Sequence, residues 1–570
     1  MRIGLVVSCI VMFFVIAFAG LFNLQIAHGR SNRDLSRKNC IRLVPRLGAR
    51  GKILDRRGEV IVGNKLYYDA AVMGRGIKEA AGTLAAIAPL LGKSSGELEK
   101  AFRRGFVVSS LPVVVASNID IKEAIALEEI KSDLPGLIIQ PKPQRAYPYG
   151  RLACHVAGYI NEIDRWRLTK LADYGYKTKD LVGFGGAEEQ YDYYLRQESG
   201  GLSIEVDHRG RFVRELGFKE PQSGKDVQLT LDLRIQKIVE GALDGRKGAV
   251  VIMDPASGEV LAMSSFPNFN PGIFVEKDAQ EIASVVRNSE APLMNRAISN
   301  SYPAGSIFKV IVATAALEQK KINKNTTFVC TGSTQVGRSV FKCWNTHGEQ
   351  DIVRAIAHSC NVFFYRTGLL AGAQNIHDYA VKFGLAHDTG FELLYETGGF
   401  VPSPLWRKLK QFKGWYDGDT ANLSIGQGDV LVTPLQIARM MAVFANGGYL
   451  VTPNIIKAID GKQVVSSKKR AIAVPIKDST MGLVREGLRE VVSLPDGTSS
   501  ILAQLPVDVA GKTGTAQAPP GAAHGWFAGF FPFKDPHFVI CVFLERAGAG
   551  YHAAMLGKRI IEQMSKEGLI

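Results

Sequence analysis

The sequence predicts an α+β protein in three parts: an N-terminal transmembrane helix, an elongated α+β module, and a C-terminal domain in which helices cover a five-stranded antiparallel sheet. Three observations lead to this prediction. Residues 3–22 are apolar and uncharged over a length that spans a bilayer. Residues 28–223 combine short strand-like stretches with scattered glycine and proline. From residue 224 onward a strand, a helix, a hairpin, a helical block, three strands and a helix follow one another.

The first element has two interpretations. Residues 17–19, Ala-Phe-Ala, resemble the cleavage site of a signal peptide. Apolar residues continue past this point to Ile26, which favours an uncleaved anchor over residues 1–27. Four basic residues follow the span: Arg30, Arg33, Arg37 and Lys38. The positive-inside rule would place them in the cytoplasm, but large domains cross membranes largely regardless of charge. We therefore expect a cytoplasmic amino terminus and an extracytoplasmic C-terminal domain.

Length and charge limit the function classes. The chain has 570 residues and a formal net charge of +15, enough length for two or three domains. A basic chain could bind nucleic acid, but no zinc-finger array or RNA-binding signature is present. A location beside an anionic membrane and polyanionic wall polymers explains the charge.

The elements of the last two parts follow from local patterns. Residues 54–62 read as a hairpin that turns at Arg57 and Gly58, and residues 76–134 read as mainly helical. Asp232 is a candidate N-cap. The elements predicted from residue 224 onward are a strand over 227–230, a helix over 233–243, a hairpin over 249–266, strands over 507–512, 525–532 and 538–545, and a helix over 553–566.

The central motif is Tyr-Pro-Ala-Gly-Ser-Ile-Phe-Lys at residues 302–309, which opens an apolar run to Leu317. Its proline and glycine place Ser306 near the first turn of a helix, and the spacing of three puts Lys309 on the same face. A helix that is apolar on nearly all sides belongs in a core. Burial lowers the pKa of a lysine, and a neutral amine beside a serine activates that serine as a nucleophile.

Two further motifs support a catalytic interpretation of this Ser-x-x-Lys sequence. Ser-x-x-Lys also occurs at residues 466–469, where it reads as a solvated charge run. Only the copy at residue 306 is followed by Ser-Cys-Asn at 359–361 and Lys-Thr-Gly-Thr at 512–515. This set, in this order, is typical of penicillin-binding proteins and class A β-lactamases.

Over nearly its whole length the chain resembles a class B penicillin-binding protein, most closely the elongation type, penicillin-binding protein 2. The resemblance rests on the stretches 50–58, 147–150, 302–309, 424–428 and 433–436, together with the two later motifs. It implies a non-catalytic pedestal domain of the dimerisation type over residues 28–223. It also implies a penicillin-binding, serine β-lactamase-like transpeptidase domain over residues 224–570.

The resemblance implies a D,D-transpeptidase that cross-links peptidoglycan stem peptides during cell-wall elongation and shape maintenance, and that penicillin inhibits. Ser306 would attack the D-Ala-D-Ala carbonyl, with Lys309 as its base. Ser359 would relay protons to the leaving or incoming amine, and Asn361 would hold Lys309 or the substrate amide. The reaction needs no cofactor. The implied partners are a membrane-embedded SEDS-family glycosyltransferase, contacted through the anchor and residues 40–220, and other proteins of the elongation machinery.

The third motif would bind substrate. Lys512, Thr513 and Thr515 suit a substrate carboxylate, and Gly514 leaves room for a substrate backbone to lie alongside as an added strand. Lys512 would also keep Lys309 neutral through its charge. The backbone N–H groups of Ser306 and Thr515 would form the oxyanion hole.

Other functions remain open. A D,D-carboxypeptidase or β-lactamase would hydrolyse the acyl-enzyme, but no Glu-x-x-x-Asn lies between Asn361 and Lys512 to activate water. A division-type class B transpeptidase shares the three motifs. A β-lactam-binding scaffold or sensor would need only the acylation site.

The seven cysteines include one cluster. Cys9 lies in the anchor, and Cys40, Cys154 and Cys541 have no evident partner. The remaining three form a window with a histidine: Cys330, Cys343, His347 and Cys360. Four such ligands fit a closed structural zinc site. The alternatives are a disulfide between the first two cysteines, because the domain is expected outside the cytoplasm, and free thiols. If Ser359 and Asn361 face the cleft, Cys360 can point away from it, so a metal could hold this loop from behind.

Overall fold

The computed structural model describes ten stretches of the chain: 2–30, 32, 41–46, 48–73, 77–106, 112–134, 136–206, 212–464, 471–518 and 520–570. Three features named above lie outside them: the basic residues at 33, 37 and 38, Cys40, and the second Ser-x-x-Lys motif. The chain forms two compact units. The first comprises Met1–Gly51, Asn64–Arg145 and Arg196–Gly224, and the second comprises Lys52–Gly63, Ala146–Leu195 and Lys225–Ile570.

The α-helices have the following bounds among the described residues: α1 (Arg2–Phe22), α2 (Ile77–Ile87), α3 (Ser95–Gly105), α4 (Ile121–Glu129), α5 (Cys154–Ala157), α6 (Arg165–Leu171), α7 (Gly186–Gln190), α8 (Asp192–Leu195), α9 (Leu233–Leu243), α10 (Gly272–Glu276), α11 (Ala279–Val286), α12 (Lys309–Glu318), α13 (Ile352–Ala357), α14 (Asn361–Ala371), α15 (Ala373–Lys382), α16 (Pro404–Gln411), α17 (Asp417–Ser424), α18 (Pro434–Ala445), α19 (Asp478–Ser493) and α20 (Gly550–Lys566).

The β-strands of the same stretches are β1 (Ile41–Arg46), β2 (Ile53–Leu54), β3 (Val60–Val72), β4 (Val113–Ile119), β5 (Leu137–Ala146), β6 (Tyr159–Glu162), β7 (Leu181–Phe184), β8 (Gly200–Val206), β9 (Phe212–Lys219), β10 (Val227–Leu229), β11 (Gly248–Met253), β12 (Val260–Phe266), β13 (Tyr302–Pro303), β14 (Phe328–Cys330), β15 (Ser333–Val336), β16 (Ser339–Lys342), β17 (Gly348–Gln350), β18 (Leu431–Val432), β19 (Tyr449–Leu450), β20 (Ile456–Ile459), β21 (Lys462–Gln463), β22 (Ile472–Ala473), β23 (Ala510–Ala516), β24 (His524–Phe531) and β25 (Phe538–Leu544).

The first unit begins with the apolar helix α1, which continues as a π-helix over Asn23–Ala27. The stretch Gly4–Ala27 is long and apolar enough to cross a membrane, and none of its most apolar window is buried in the protein. This exposure is what a lipid-facing helix requires, because the described part of the chain does not cover its apolar side chains. The predicted candidate membrane span is therefore present.

The rest of the first unit has two sheet regions. Strands β1, β8 and β9 form an antiparallel sheet. The second half of β3 pairs with β4, and α2, α3 and α4 enclose a core with buried Leu84, Phe102 and Leu127. The prediction of a mainly helical segment over 76–134 missed β4. The strand forms because its first residues are β-branched. Val113 is buried and Val114 is exposed, as a pleated strand requires.

The predicted hairpin near residue 58 is confirmed in the second unit. Ile53 pairs with Val62 across the β2–β3 turn. The carboxylate of Asp55 accepts hydrogen bonds from the backbone N–H groups of Arg57 and Glu59, at 2.8 and 2.9 Å. Aspartate stabilises turns in this way, by replacing a backbone acceptor with its own side chain.

The predicted five-stranded antiparallel sheet is also confirmed, in the order β12-β11-β25-β24-β23. Helix α9 has the predicted bounds, and Asp232 caps it by accepting from the N–H of Arg234. Two elements of this domain differ from the prediction by three residues or more. Strand β23 begins at Ala510 and runs through the whole Lys-Thr-Gly-Thr motif, and α20 begins three residues early, at Gly550.

The two faces of this sheet carry different elements. Neighbouring residues of a strand point to opposite faces. Phe527 of β24 faces α20, where a Cβ on Gly557 would lie 2.9 Å from its ring. On the other face, the indole N–H of Trp526 donates to the carbonyl of Pro303 at 2.9 Å. The segment that carries Ser306 therefore packs on the face opposite α20.

Candidate active site

The segment of the central motif folds as predicted, with one refinement. Strand β13 leads into a single 3₁₀ turn over Gly305–Phe308, and α12 begins at Lys309. All residues of α12 from Lys309 to Leu317 are buried, which confirms the predicted core helix. Ser306 is half-buried at the start of this helix. In a 3₁₀ turn, residues three apart stand directly above one another, so Ser306 and Lys309 share one side of the turn.

Close backbone contacts fix the position of this turn. Gly305 has a φ of +56°, and its N–H donates to the carbonyl of Gly426 at 2.9 Å. A Cβ on Gly305 would lie only 2.8 Å from the carbonyl oxygen of Thr515. A Cβ on Gly514 would lie 3.1 Å from Ile307. The missing side chains therefore let the Ser306 turn pack directly on β23.

The amine of Lys309 joins the first motif to the second. Its Nζ donates to the carbonyl of Ser359 at 2.7 Å, to the Ser359 hydroxyl at 3.1 Å and to Oδ1 of Asn361 at 2.6 Å. Burial lowers the pKa of Lys309 to about 7, although the thiols of Cys343 and Cys360 oppose the shift. The amine is thus poised between its neutral and charged forms near neutral pH. A contact between Lys309 and the Ser306 hydroxyl stays a prediction.

The second motif sits on a strained connection between α13 and α14. Ser359 has a φ of +54° and is buried. This left-handed conformation is costly for serine, and it turns the chain sharply before α14. Cys360 caps α14 by accepting from the N–H of Phe363. Ser359 and Asn361 bind Lys309 while the Cys360 thiol joins the cysteine cluster, so the predicted opposite orientation of Cys360 is confirmed.

The third motif lies on β23, at an edge of the sheet. Lys512 is fully buried, and its Nζ donates to the carbonyl of Thr513 at 3.1 Å. Burial, and then the charge of Lys309, lowers the pKa of Lys512 well below its usual value. This mutual effect means that the two buried amines resist being protonated together. Burial is the main cause of the low pKa of Lys309, and the contribution of Lys512 expected from the sequence stays a prediction.

The remaining residues of this motif have separate environments. The Thr513 hydroxyl donates to the Thr498 hydroxyl at 2.8 Å. Thr515 is exposed, and its hydroxyl accepts from the N–H of Gly550 at 3.0 Å. A side chain at residue 514 would crowd Ile307, so packing alone explains why glycine occurs there. The role of Gly514 in substrate binding stays a prediction. An edge strand keeps unpaired N–H and C=O groups that can pair with an extended peptide.

The predicted cysteine and histidine ligands come together behind the second motif. The thiol sulfurs of Cys330 and Cys343 each lie 3.6 Å from Nδ1 of His347. All four ligand atoms, including Sγ of Cys360, lie within 4.8 Å of one another. The three cysteines are free thiols in this structure, so the alternative disulfide between the first two is not formed. The N–H of Asn361 donates to Sγ of Cys343 at 3.2 Å, which connects the cluster to the site.

Sequence reasoning missed one residue beside Ser359. The indole N–H of Trp344 lies 3.2 Å from the carbonyl of His358 and 3.3 Å from that of Ser359. Its ring also meets His347 edge to face, with centroids 5.0 Å apart. The sequence could not predict this contact, because only the left-handed turn brings the two partner carbonyls to the tryptophan.

Comparisons with known proteins agree with this architecture. The model of the penicillin binding protein transpeptidase domain matches residues 248–562, and that of the penicillin-binding protein dimerisation domain matches residues 45–229. Peptidoglycan D,D-transpeptidase MrdA of Escherichia coli K12 is 32% identical over 586 residues, which cover 96% of this chain and 91% of that protein. Stage V sporulation protein D of Bacillus subtilis is 29% identical and covers 94% of this chain.

Solved structures agree as well. A chain from the complex of PBP2 with MreC of Helicobacter pylori has a TM-score of 0.80 at 26% identity, covering 93% of this chain and 99% of that one. A chain from a peptidoglycan synthase complex that coordinates polymerization and crosslinking has a TM-score of 0.76 at 30% identity, covering 100% and 99%. The chain therefore belongs to the penicillin-binding proteins with a transpeptidase domain.

Within that family the chain is an elongation-type enzyme, since MrdA and PBP2 match it over nearly its whole length. This assignment confirms the resemblance expected from the sequence. Enzymes of this class carry out acyl transfer without a cofactor. The geometry above therefore has to supply both the nucleophile and the groups that move its proton.

The glycine at 305 gives a test of how the Ser306 turn is positioned. We expect Gly305→Ala to slow acylation by labelled penicillin roughly a hundredfold, because a Cβ there meets the Thr515 carbonyl and displaces Ser306. Gly482→Ala is the matched control, because Gly482 lies exposed in α19 with nothing within 4 Å of the added Cβ. Equal acylation rates in both variants would contradict the packing argument.

Proposed function

We propose that this chain cross-links peptidoglycan stem peptides during cell-wall elongation, as a D,D-transpeptidase with Ser306 as its nucleophile. The observation that carries the proposal is the buried Nζ of Lys309, bonded to Ser359 and Asn361 beside the Ser306 turn. A buried amine with a pKa near 7 can take a proton from a neighbouring hydroxyl at neutral pH.

The first half-reaction is acylation. The Ser306 oxygen bonds to the carbonyl carbon of the D-Ala-D-Ala bond, and its proton passes to the neutral amine of Lys309. The C–N bond to the terminal D-Ala then breaks, and the leaving amine receives a proton through the Ser359 hydroxyl, which lies 3.1 Å from Lys309. In the second half-reaction the amine of a neighbouring stem attacks the ester. The same groups carry its proton back to Ser306, which restores the free enzyme.

The other motif residues bind and orient the substrate. The carboxylate of the donor stem lies by Lys512, Thr513 and Thr515, and its negative charge raises the pKa of Lys512 again. The substrate backbone pairs with the edge of β23 beside Gly514. The N–H groups of Ser306 and Thr515 hold the oxyanion, where the loss of one donor typically costs about a hundred- to a thousandfold in rate. Asn361 orients Lys309 through its Oδ1.

The domain division follows from the sequence and has support from the matched models. Residues 1–27 form the anchor, residues 28–223 the non-catalytic pedestal, and residues 224–570 the transpeptidase domain. The dimerisation and transpeptidase models match within the last two ranges or close to them. The anchor places the catalytic domain on the periplasmic side of the cytoplasmic membrane, where its substrate lies.

A SEDS-family glycosyltransferase is the proposed partner, which the similarity to a chain of a peptidoglycan synthase complex supports.

A structural zinc ion is the proposed occupant of the cysteine cluster. Tetrahedral zinc with bonds of about 2.0–2.3 Å separates its ligand atoms by roughly 3.5–3.8 Å, and the 3.6 Å contacts of His347 with Cys330 and Cys343 fit this spacing. Sγ of Cys360 completes the set. Bound zinc would tie the connection that carries Ser359 to strands β14 and β16. It takes no part in acyl transfer, because Ser306 supplies the nucleophile.

Labelled penicillin tests the nucleophile. We expect a covalent adduct with the wild-type protein and none with Ser306→Ala, because the ester forms on that hydroxyl. Ser466→Ala is the matched control, since it removes the serine of the other Ser-x-x-Lys sequence, and it should keep the adduct. An unlabelled wild-type protein would contradict the acyl-enzyme mechanism.

Uncross-linked strands separate the possible reactions of the adduct. With wild-type protein and its glycosyltransferase partner, a transpeptidase releases D-Ala and forms cross-linked dimers in equal amounts. Release of D-Ala without dimers would identify a carboxypeptidase. An adduct with neither product would identify a β-lactam sensor.

The acylation rate should depend on pH through Lys309. The base acts in its neutral form, whose fraction rises with pH, so we expect the rate to increase with a midpoint near pH 7, where the pKa lies. The rate of adduct formation across about pH 6 to 8 measures this directly. Lys309→Arg, which keeps the charge but cannot lose the proton, should react slowly and without this rise. A flat wild-type profile would assign the proton to another group.

Native mass spectrometry tests the zinc ion. We expect one zinc per chain, lost in Cys343→Ser, with a free energy of unfolding lower by about 4 kcal/mol when free zinc exceeds its Kd a thousandfold. Cys541→Ala removes a buried thiol of β25, far in sequence from the cluster, and should keep the metal. Wild-type protein without metal, and with a melting temperature that chelators leave unchanged, would leave free thiols as the correct interpretation.

A further inference from the structure

Helix α16 and the residues after it expose an apolar stripe that the fold does not use. Leu405, Leu409 and Phe412 are 61%, 60% and 89% exposed. Leu405 and Leu409 are four residues apart and therefore share one side of the helix, and Phe412 follows directly as its left-handed C-cap. No residue of α16 is buried. Contiguous exposed apolar side chains on a water-soluble domain mark an interaction site more often than chance exposure does.

Lysines border this stripe. Lys408, Lys410 and Lys413 are exposed. Among the described residues, the one ion pair of this segment joins Arg407 to Asp419 at 2.6 Å. The three lysine charges therefore face solvent without an acidic partner in the described part of the chain. We call the set of Leu405, Lys408, Leu409, Lys410, Phe412 and Lys413 the α16 surface.

The opposite side of α16 is anchored. The ring of Trp406 lies 4.7 Å from that of Phe400, measured between centroids. Arg407 pairs with Asp419 and also lies over the ring of Trp415, 5.7 Å from its centroid. These contacts hold the Trp406 and Arg407 side of α16 in place. The side that carries the apolar residues and the lysines therefore faces outward.

The α16 surface is connected to the candidate active site through α17. Asp419 belongs to α17, which packs on α14, the helix that begins at Asn361. After α17, the carbonyl of Gly426 accepts the hydrogen bond from Gly305 beside Ser306. A Cβ on Gly418 would lie 3.5 Å from the ring of Phe341 on β16. One short helix therefore links the basic surface to both the first and the second motif.

The hairpin of β15 and β16 adds charge on the same side. Arg338 and Lys342 are exposed on this hairpin, and the carbonyl of Lys342 accepts from Nδ2 of Asn361 at 3.4 Å. The acidic residues on α17 itself are Asp417, which is exposed, and Asp419, which is paired. Basic residues therefore outnumber acidic ones on the α16 segment, α17 and this hairpin.

We infer that the α16 surface docks an uncross-linked peptidoglycan strand and guides its stem peptides to the cleft. This inference rests on the proposed function. The strand is an anionic polymer, because each D-Ala-D-Ala end carries a carboxylate, and its charge complements the three lysines. The methyl groups and sugar faces of the strand can cover Leu405, Leu409 and Phe412. A polymer held at several points raises the local concentration of stem peptides at Ser306.

A binding measurement tests this inference on the full-length chain in neutral detergent. Lys408→Gln, Lys410→Gln and Lys413→Gln are combined in a Ser306→Ala background, which prevents turnover. The probe is fluorescently labelled, uncross-linked strands with intact stem peptides. We expect the half-saturating strand concentration to rise about tenfold at low salt, since exposed charge contacts are individually weak but add over three sites. High salt should remove most of the difference.

A matched control separates local docking from net charge. Lys320, Lys321 and Lys324 are exposed lysines at the far end of α12 and beyond. Their triple replacement by glutamine removes the same charge and should leave strand binding unchanged. Equal weakening in both triple variants, or no weakening in either, would overturn the inference.

Further probes identify what is bound. Strands without stem peptides should bind equally weakly to the Ser306→Ala protein and to its α16 triple variant. Equal binding of stripped and intact strands would overturn the charge argument. If the α16 substitutions weakened binding to vesicles of phosphatidylglycerol but not to strands, the surface would be a membrane site and the inference would be wrong.

Penicillin labelling keeps this test separate from the proposed function. With Ser306 intact, the α16 triple variant should form the adduct at the wild-type rate, because a small β-lactam does not reach the α16 surface. A wild-type protein without any adduct would reject the mechanism and leave strand binding to be judged alone. A normal adduct with unchanged strand binding would reject the docking surface alone.

Discussion

The site depends on a lysine amine held out of water. A buried ammonium group is costly unless oxygen atoms replace its hydration, and Lys309 has three such atoms, two from Ser359 and one from Asn361. These bonds join the helix of the nucleophile to the start of α14. The amine of Lys512 is also fully buried and donates to the carbonyl of Thr513. The charge of Lys309 lowers the pKa of Lys512, so the two amines oppose each other's protonation.

Backbone contacts between glycines and carbonyls bring the motifs to this amine. Gly305 approaches the carbonyls of Thr515 and Gly426, and a Cβ on Gly550 would lie 2.5 Å from the carbonyl of Gly514. Side chains at these positions would separate α12, β23 and α20 by the thickness of a methyl group or more. Motifs that are about 50 and 200 residues apart therefore meet because small residues permit direct contact between main chains.

Much of this arrangement could be predicted from the sequence. Apolar periodicity and turn residues were sufficient for α9, for the five-stranded sheet and for the buried helix after Ser306. The left-handed turn at Ser359 could not be predicted, since serine carries no preference for it and the surrounding contacts impose it. The basic and apolar residues of α16 can be recognised in the sequence. The sequence does not show whether the apolar side of this helix faces the core or the solvent.

The turn at Ser359 explains why one connection can serve two purposes. Adjacent side chains leave a strained turn in different directions, so Ser359 and Asn361 reach Lys309 while Cys360 reaches Cys343 and His347 on the other side. A catalytic hydroxyl must stay within a few tenths of an ångström of its partners to transfer protons, yet a left-handed serine is intrinsically unfavourable. The N–H of Asn361 donates to Sγ of Cys343, and the Cys360 thiol lies in the same cluster, so contacts with the cysteine cluster hold the turn from the side away from Lys309. The left-handed turn directs the Ser359 hydroxyl toward Lys309, and these contacts oppose its relaxation.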